Sequence, residues 1–130
     1  MFNEQLDEKF ALLVHKSISW NIENLPFNTL LMQQKKVDEE IKELEEALKK
    51  QDTEEILKEF ADVFIATCGL GRFSTFLLGE QLPNLFTSMK TQKCDEFILN
   101  CIVEAIENKL NILEQRKYSI CDGVYHHVDQ

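Results

Sequence analysis

Interruptions are scarce in this chain, and their scarcity constrains its fold more than any other feature. Its 130 residues include two prolines, Pro26 and Pro83, and four glycines, which favours long helices over a sheet with many turns. The centre of the chain is divided at DTEE, after KKQ. Asp52 can cap a helix there, and Glu55 three residues on completes a capping-box-like pattern. Lysines close the preceding segment and acids open the next, as the helix dipoles favour. So short a link makes the two flanking helices antiparallel neighbours.

Hydrophobic spacing fills in the remainder. Leu6, Phe10, Leu13 and Ser17 mark one face of a first helix, with Asn3 as candidate N-cap and Trp20 near its end. A second helix from about Asn28 to Lys50 carries a narrow stripe of Val37, Ile41, Leu44 and Leu48. The third places Ile56, Leu57, Phe60, Val63, Phe64 and Thr67 on its packed side and is apolar nearly all round after Phe60, which marks it as central. GLGRFSTFLLGEQLPN reads either as a kinked continuation of that helix or as a separate short one. A last element from about Cys94 to Tyr118 packs through Phe97, Ile98, Cys101, Ile102, Ala105, Ile106, Leu110 and Leu113, and 118–130 read as an irregular tail. The expectation is one all-α domain over residues 1–130, a four- to five-helix bundle around a central antiparallel hairpin. The apolar sweep after Phe60 asks for a partner, so a homodimer or homotetramer is expected.

Composition narrows the function classes. A formal net charge of -9 with no basic stripe argues against nucleic acid or an anionic membrane as partner. No uncharged run is long enough to span a bilayer. The N-terminal MFNEQLDEKF lacks the basic start and apolar core of a signal peptide. Cys68, Cys94, Cys101 and Cys121 form no CxxC pair, so zinc-ribbon and thioredoxin readings find no support. A cytoplasmic setting is the default expectation.

The residues that point to chemistry are acids at helical spacing. Asp62 stands inside FADVFIATCGL with no Lys or Arg alongside, and a buried, unpaired carboxylate costs several kcal/mol by order of magnitude. Glu59 precedes it by three residues, so both project from one side of the third helix. On the second helix Glu40 falls roughly 60° from Val37 and Glu43 roughly 120°, while Glu39 lies further round and Glu46 nearly opposite. Two antiparallel helices therefore present two carboxylate pairs to each other. Such a group repels itself, and a hard divalent cation is its natural compensation: Mg²⁺, or Mn²⁺ in its place. Ala47 and Ala66, each four residues after an inward acid, leave room for substrate. Acid-rich helices are usually solvated faces, and EEIKELEEALKK alone would be one; Asp62 in its apolar setting shifts the balance toward a metal site.

This pattern resembles the MazG-like all-α NTP pyrophosphohydrolases, whose EExxE and ExxD motifs match EEIKE (Glu39 to Glu43) and EFAD (Glu59 to Asp62). The resemblance implies Mg²⁺-dependent hydrolysis of a nucleoside triphosphate to the monophosphate and pyrophosphate. It makes Glu40, Glu43, Glu59 and Asp62 metal ligands and Glu39 the residue that orients or deprotonates water. A family motif on the last helix is similar to KLNILEQRKY, implying that Lys109 and Arg116 hold phosphates; Leu113 and Tyr118 stand where the family has Asn and Trp. In relatives the first helix and the following loop wall the base pocket, which makes His15, Trp20 and Asn24 candidates. Tyr125, His126 and His127 read as part of a disordered or partner-contacting tail, and the paired histidines make a poor zinc site.

Two other classes compete. A non-enzymatic helical interaction module would leave its acids facing solvent or a basic partner, so Asp62→Asn would be neutral or stabilising and Mg²⁺ would not change the melting temperature. A carboxylate-bridged di-iron bundle would use Glu-x-x-His pairs, and none of the histidines stands three residues after a glutamate.

Overall fold

A computed structural model of the chain describes residues 2–91 and 95–128. It contains α1 (Glu4–Asn24), α2 (Leu30–Lys50), α3 (Thr53–Gly69), a 3₁₀ turn at Leu70–Arg72, α4 (Thr75–Thr91), α5 (Glu96–Leu113) and the strands β1 (Lys117–Cys121) and β2 (Val124–Val128). The fold is an all-α bundle with one small hairpin. Among the described residues no helix is long and apolar enough to cross a membrane.

Each helix begins where a short polar side chain satisfies its first free amides. Asn3 Oδ1 accepts from Leu6 N at 2.8 Å, Thr29 Oγ1 from Met32 N at 3.2 Å, and Asp95 Oδ1 from Ile98 N at 2.9 Å. Asp52 Oδ1 accepts from Glu54 N and Glu55 N. Gln51, in the left-handed region at φ 58°, ends α2, so one reversal and one cap make the α2–α3 hairpin.

Helix α3 is the axis of the molecule and packs against α1, α2, α4 and α5. Its residues from Val63 to Gly69 are all buried, as its apolar sweep requires. Phe64 meets Phe10 of α1 and Phe86 of α4. The segment after Gly69 is a 3₁₀ turn and a new helix of 17 residues that carries Pro83 within it.

Two expectations are corrected. The buried face of α2 is Gln33, Val37, Glu40 and Ala47, turned roughly 50° toward Glu40 from the predicted stripe; Ile41 and Leu48 are exposed. Polar side chains with partners on α1 and α3 hold that face inward in place of aliphatic ones. The tail is not irregular: α5 stops at Leu113, and β1 pairs antiparallel with β2 in the register Lys117↔Val128 to Cys121↔Val124. Asp122 (φ 53°) and Gly123 (φ 73°) form the tight turn that Asp-Gly favours. The hairpin packs on α2, with Tyr125 buried in the main core. Of the predicted small core cysteines, Cys101 is half-buried and Cys94 lies outside the described residues.

Candidate active site

The hairpin geometry brings the two acid pairs together. One carboxylate oxygen from each of Glu40, Glu43, Glu59 and Asp62 lies within 4.8 Å of the other three. Glu40 is buried, Glu59 and Asp62 are half-buried and Glu43 is exposed, so the cluster sits at a rim with one side open. Glu39 stands outside it, half-exposed, with Oε2 3.9 Å from Lys36 Nζ.

Two lysines reach in from flanking positions. Lys36, one turn before Glu40, lies 3.1 Å from its Oε1. Asp62 meets Lys109 of α5, whose Nζ is 3.0 Å from Oδ1. That contact is an ion pair whose angle does not complete a hydrogen bond, and Asp62 Oδ1 remains, with Glu40 Oε2 and Glu59 Oε2, a buried oxygen lacking a hydrogen-bond donor. Lys109 is thus part of the answer to why Asp62 is tolerated, and the orphaned oxygens show that the compensation is incomplete.

The electrostatics carry the same message. Burial raises the Glu59 carboxyl to about 8, with the charges of Asp62, Glu43 and Glu40 adding to it. Burial raises Glu40 against the lowering by Lys36, with Glu43 adding to the rise, and burial raises Asp62 against the lowering by Lys109, with Glu40 adding to the rise. Burial disfavours the Lys36 ammonium, but Glu40, Glu39 and Glu43 outweigh it and its pKa is raised. Acids that cannot all ionise beside each other, with oxygens left unbonded, suit a divalent cation with oxygen ligands.

A cavity opens from this cluster along the α2–α3 pair. Its charged end holds Glu40, Asp62, Lys36, Lys109 and Arg116. Seven residues back along α2, about 10 Å at the helical rise, Gln33 lines the other end with Asn21 and Asn28. These amides bond to one another: Asn28 Nδ2 donates to Asn21 Oδ1 (3.0 Å) and to Gln33 Oε1 (2.7 Å), and Asn21 Nδ2 donates to Gln33 Oε1 (2.9 Å). Gln33 Nε2 donates to the Ala66 carbonyl at 2.7 Å, and Arg72 Nη1 donates to Asn21 Oδ1 and to the carbonyls of Asn21 and Leu25. Gly69 is required behind them, because a Cβ there would lie 2.5 Å from Gln33 Nε2 and 2.7 Å from Asn21 Nδ2.

The candidates for base contact separate. Trp20 lines the cavity, edge-to-face with Tyr118 at 5.4 Å. His15 and Asn24 do not: they line a second hollow with Glu107, Asn111 and Glu114, which Trp20 also borders, and Asn24 Nδ2 donates to the Trp20 carbonyl. The supposed tail contributes Tyr125 and His126 to the cavity wall, and Tyr125 Oη accepts from Phe27 N at 2.9 Å. Only the backbone of His127 is described. The amides were overlooked, although the signal was present: Asn21 continues the buried face of Leu13, Ser17 and Trp20, and Gln33 stands one turn before Val37. Each is a polar residue on an apolar face, the same anomaly that marks Asp62.

An all-α bundle whose central hairpin presents EExxE and ExxD acids to one another defines the MazG-like class of pyrophosphohydrolases. Within it, the chain belongs to the phosphoribosyl-ATP pyrophosphohydrolase family, whose sequence profile matches residues 8–74, more than half its length. That match takes in most of α1, the carboxylate hairpin and the 3₁₀ turn, and the chemistry the family defines is hydrolysis of a nucleotide with release of pyrophosphate. No curated protein and no solved structure gives a significant match to the chain.

Proposed function

We propose that this protein is a metal-dependent nucleoside triphosphate pyrophosphohydrolase, converting an NTP or dNTP to the monophosphate and pyrophosphate in nucleotide-pool housekeeping. The observation that carries the reading is the convergence of Glu40, Glu43, Glu59 and Asp62 within 4.8 Å, with buried oxygens that lack donors, at the mouth of a cavity carrying three cationic side chains. These four acids would hold Mg²⁺ or Mn²⁺, which would supply charge against the polyphosphate oxygens and acidify water.

The chain's own groups do the rest. Lys109 and Arg116 hold the phosphates, joined by Lys36, which reaches the same space. Glu39, at the edge of the cluster, orients and deprotonates the attacking water, and the broken P–O anhydride bond releases pyrophosphate. Positioning and electrostatics account for most of the acceleration in phosphoryl chemistry, and fixed acids on two capped helices provide the positioning. Ile41 and Leu48, exposed on α2, are apolar surface for a second copy of the chain, and light scattering at micromolar concentration is expected to show a dimer or tetramer.

The test is pyrophosphate release from canonical and modified NTPs and dNTPs with Mg²⁺ or Mn²⁺, beside Asp62→Asn and Glu43→Gln. Metal-dependent release abolished in both variants is the expected result. The family's name makes phosphoribosyl-ATP the second substrate to include, and a preference for it over every triphosphate would move the assignment there. No release from any nucleotide by folded protein would return the chain to a non-enzymatic helical module.

A further inference from the structure

The cations around the cavity are held in two different ways. Arg72, behind the amide end, gives Nη1 to the carbonyls of Asn21 and Leu25 and to Asn21 Oδ1, and these contacts fix its planar fork. Lys36 and Lys109 instead rest on carboxylates. Lys36 Nζ lies 3.1 Å from Glu40 Oε1 and 3.9 Å from Glu39 Oε2, and Lys109 Nζ lies 3.0 Å from Asp62 Oδ1. Their side chains are 34% and 23% exposed, both line the cavity, and each ammonium ends a flexible four-carbon stem. They reach the cluster from different helices, α2 and α5, and meet two of its four acids.

Those contacts neutralise the acids without completing them. Glu40 Oε2, Glu59 Oε2 and Asp62 Oδ1 lack a hydrogen-bond donor, although an ammonium stands beside two of these three carboxylates. Two ammonium groups carry the charge of one divalent cation. Exchanging them for that cation therefore leaves the charge of the cluster unchanged, gives the unbonded oxygens a partner that prefers oxygen ligands, and releases two positive groups at the end of the cavity that also carries Arg116. An ammonium that stayed on Glu40 or Asp62 would repel a cation on the same carboxylates, so occupancy by one disfavours the other.

We propose that Lys36 and Lys109 are exchangeable counterions of the acid cluster: they neutralise it before metal arrives, and they swing into the cavity, toward phosphate oxygens, once a divalent cation takes the carboxylates. The proposal rests on the nucleotide reading above and adds a coupling to it, since metal and phosphate then favour each other through the lysines, by the same factor in both directions. Lys36 leaves Glu39 as well, which frees the carboxylate assigned to the attacking water.

Acetylation of the unmodified protein reads the exchange directly. The reaction needs the free amine, and a neighbouring carboxylate keeps a lysine protonated, so Lys36 and Lys109 should label slowly in metal-free protein. With Mn²⁺ alone and no nucleotide, their labelling should rise about tenfold, read residue by residue by peptide mass spectrometry, while that of Lys49 and Lys50 at the end of α2 should not change. A second measurement titrates Mn²⁺ into Lys36→Met and Lys109→Met, following the electron paramagnetic resonance of the free ion. Each should bind Mn²⁺ roughly fivefold tighter than wild type, and at saturating Mn²⁺ each should bind a nucleoside 5′-monophosphate more weakly. Lys35→Met, which removes the same charge from an exposed neighbour, controls for net charge and should leave both affinities as in wild type. Labelling that stays slow at Lys36 or at Lys109, or a variant of either whose Mn²⁺ affinity is no tighter than that of Lys35→Met, would overturn the exchange. Pyrophosphate release measured on the same preparations separates the two readings: turnover with static lysines refutes the exchange alone, and metal-driven exchange without turnover of any nucleotide refutes the hydrolase alone.

Discussion

The two ends of the cavity resolve the burial of polar groups in opposite ways. At the amide end, Asn21, Asn28 and Gln33 satisfy one another and the Ala66 carbonyl; at the carboxylate end, Glu40 and Glu59 keep buried oxygens with no donor. Neutral amides carry both donors and acceptors and can close a network among themselves, whereas carboxylates only accept. An acidic cluster is therefore completed from outside, by a lysine, a proton or a cation. The amide end is built for rigidity, and the acid end for exchange of its counterions.

The sharpest break of this contrast is removal of one inward acid. Asp62→Asn is expected to lower kcat/KM by more than about 100-fold, since loss of groups that merely support metal ligands costs 10- to 100-fold. The metal-free variant should melt no lower than wild type, because a like charge has left the cluster. A large loss of stability in the metal-free state would show that Asp62 serves mainly as the structural partner of Lys109.

At the amide end the same logic predicts a stability effect. Gly69→Ala forces a methyl group to within 3 Å of Gln33 Nε2 and Asn21 Nδ2, and a displaced, unsatisfied buried amide costs about 1–3 kcal/mol. Adding overpacking, we expect a loss of roughly 2–4 kcal/mol in urea unfolding. A neutral result would show the network to be loose.

How far these ends could be read in sequence follows from the range of the interactions. Local signals served well: Asn3 and Asp52 cap as their spacing indicates, and Phe60 to Leu70 is central because only a buried helix tolerates that run. The acid pairs were legible because i, i+3 spacing fixes a common face. What escaped reading was long-range. The Lys109–Asp62 pair joins α5 to α3, and the rotation of α2 depends on partners that Gln33 finds on α1 and α3. The hairpin was missed despite the Asp122-Gly123 signal, since its strands are short and β1 is mostly exposed. His15 and Asn24 line a separate hollow from the cavity beside the acids, with Trp20 bordering both.

Acidity offers a finer probe. The raised carboxyls of Glu59, Glu40 and Asp62 mean that the folded, metal-free protein holds protons that the unfolded chain releases, in the case of Glu59 up to about 8. Their contribution to stability is complete below the ordinary carboxyl range and is lost as pH rises through the raised values, that of Glu59 being about 8. Metal-free protein should accordingly melt lower at pH 8 than at pH 6. A divalent cation competes with those protons, so saturating Mg²⁺ should raise the melting temperature by roughly 5–10 °C at pH 8 and by less at pH 6. Equal shifts at both pH values would mean that the cation binds elsewhere.

The smallest expected effect tests whether the hairpin belongs to the rigid end. Gly123 sits at φ 73° in the turn that returns β2 to the cavity, where Tyr125 Oη accepts from Phe27 N. An added Cβ at Gly123 meets only Lys35 Nζ, at 3.4 Å, so Gly123→Ala introduces little crowding and mainly the left-handed backbone cost, about 1–2 kcal/mol. If the hairpin is integral to the bundle, that cost appears in global unfolding, and amide exchange in β1 and β2 accelerates only as much as in α3. If the hairpin opens by itself, exchange in the strands rises while α3 is unchanged. The first outcome makes the rings of Tyr118 and Tyr125 as fixed as the amides beside them; the second makes the hairpin's side of the cavity as exchangeable as the acid end and removes the contrast between the two.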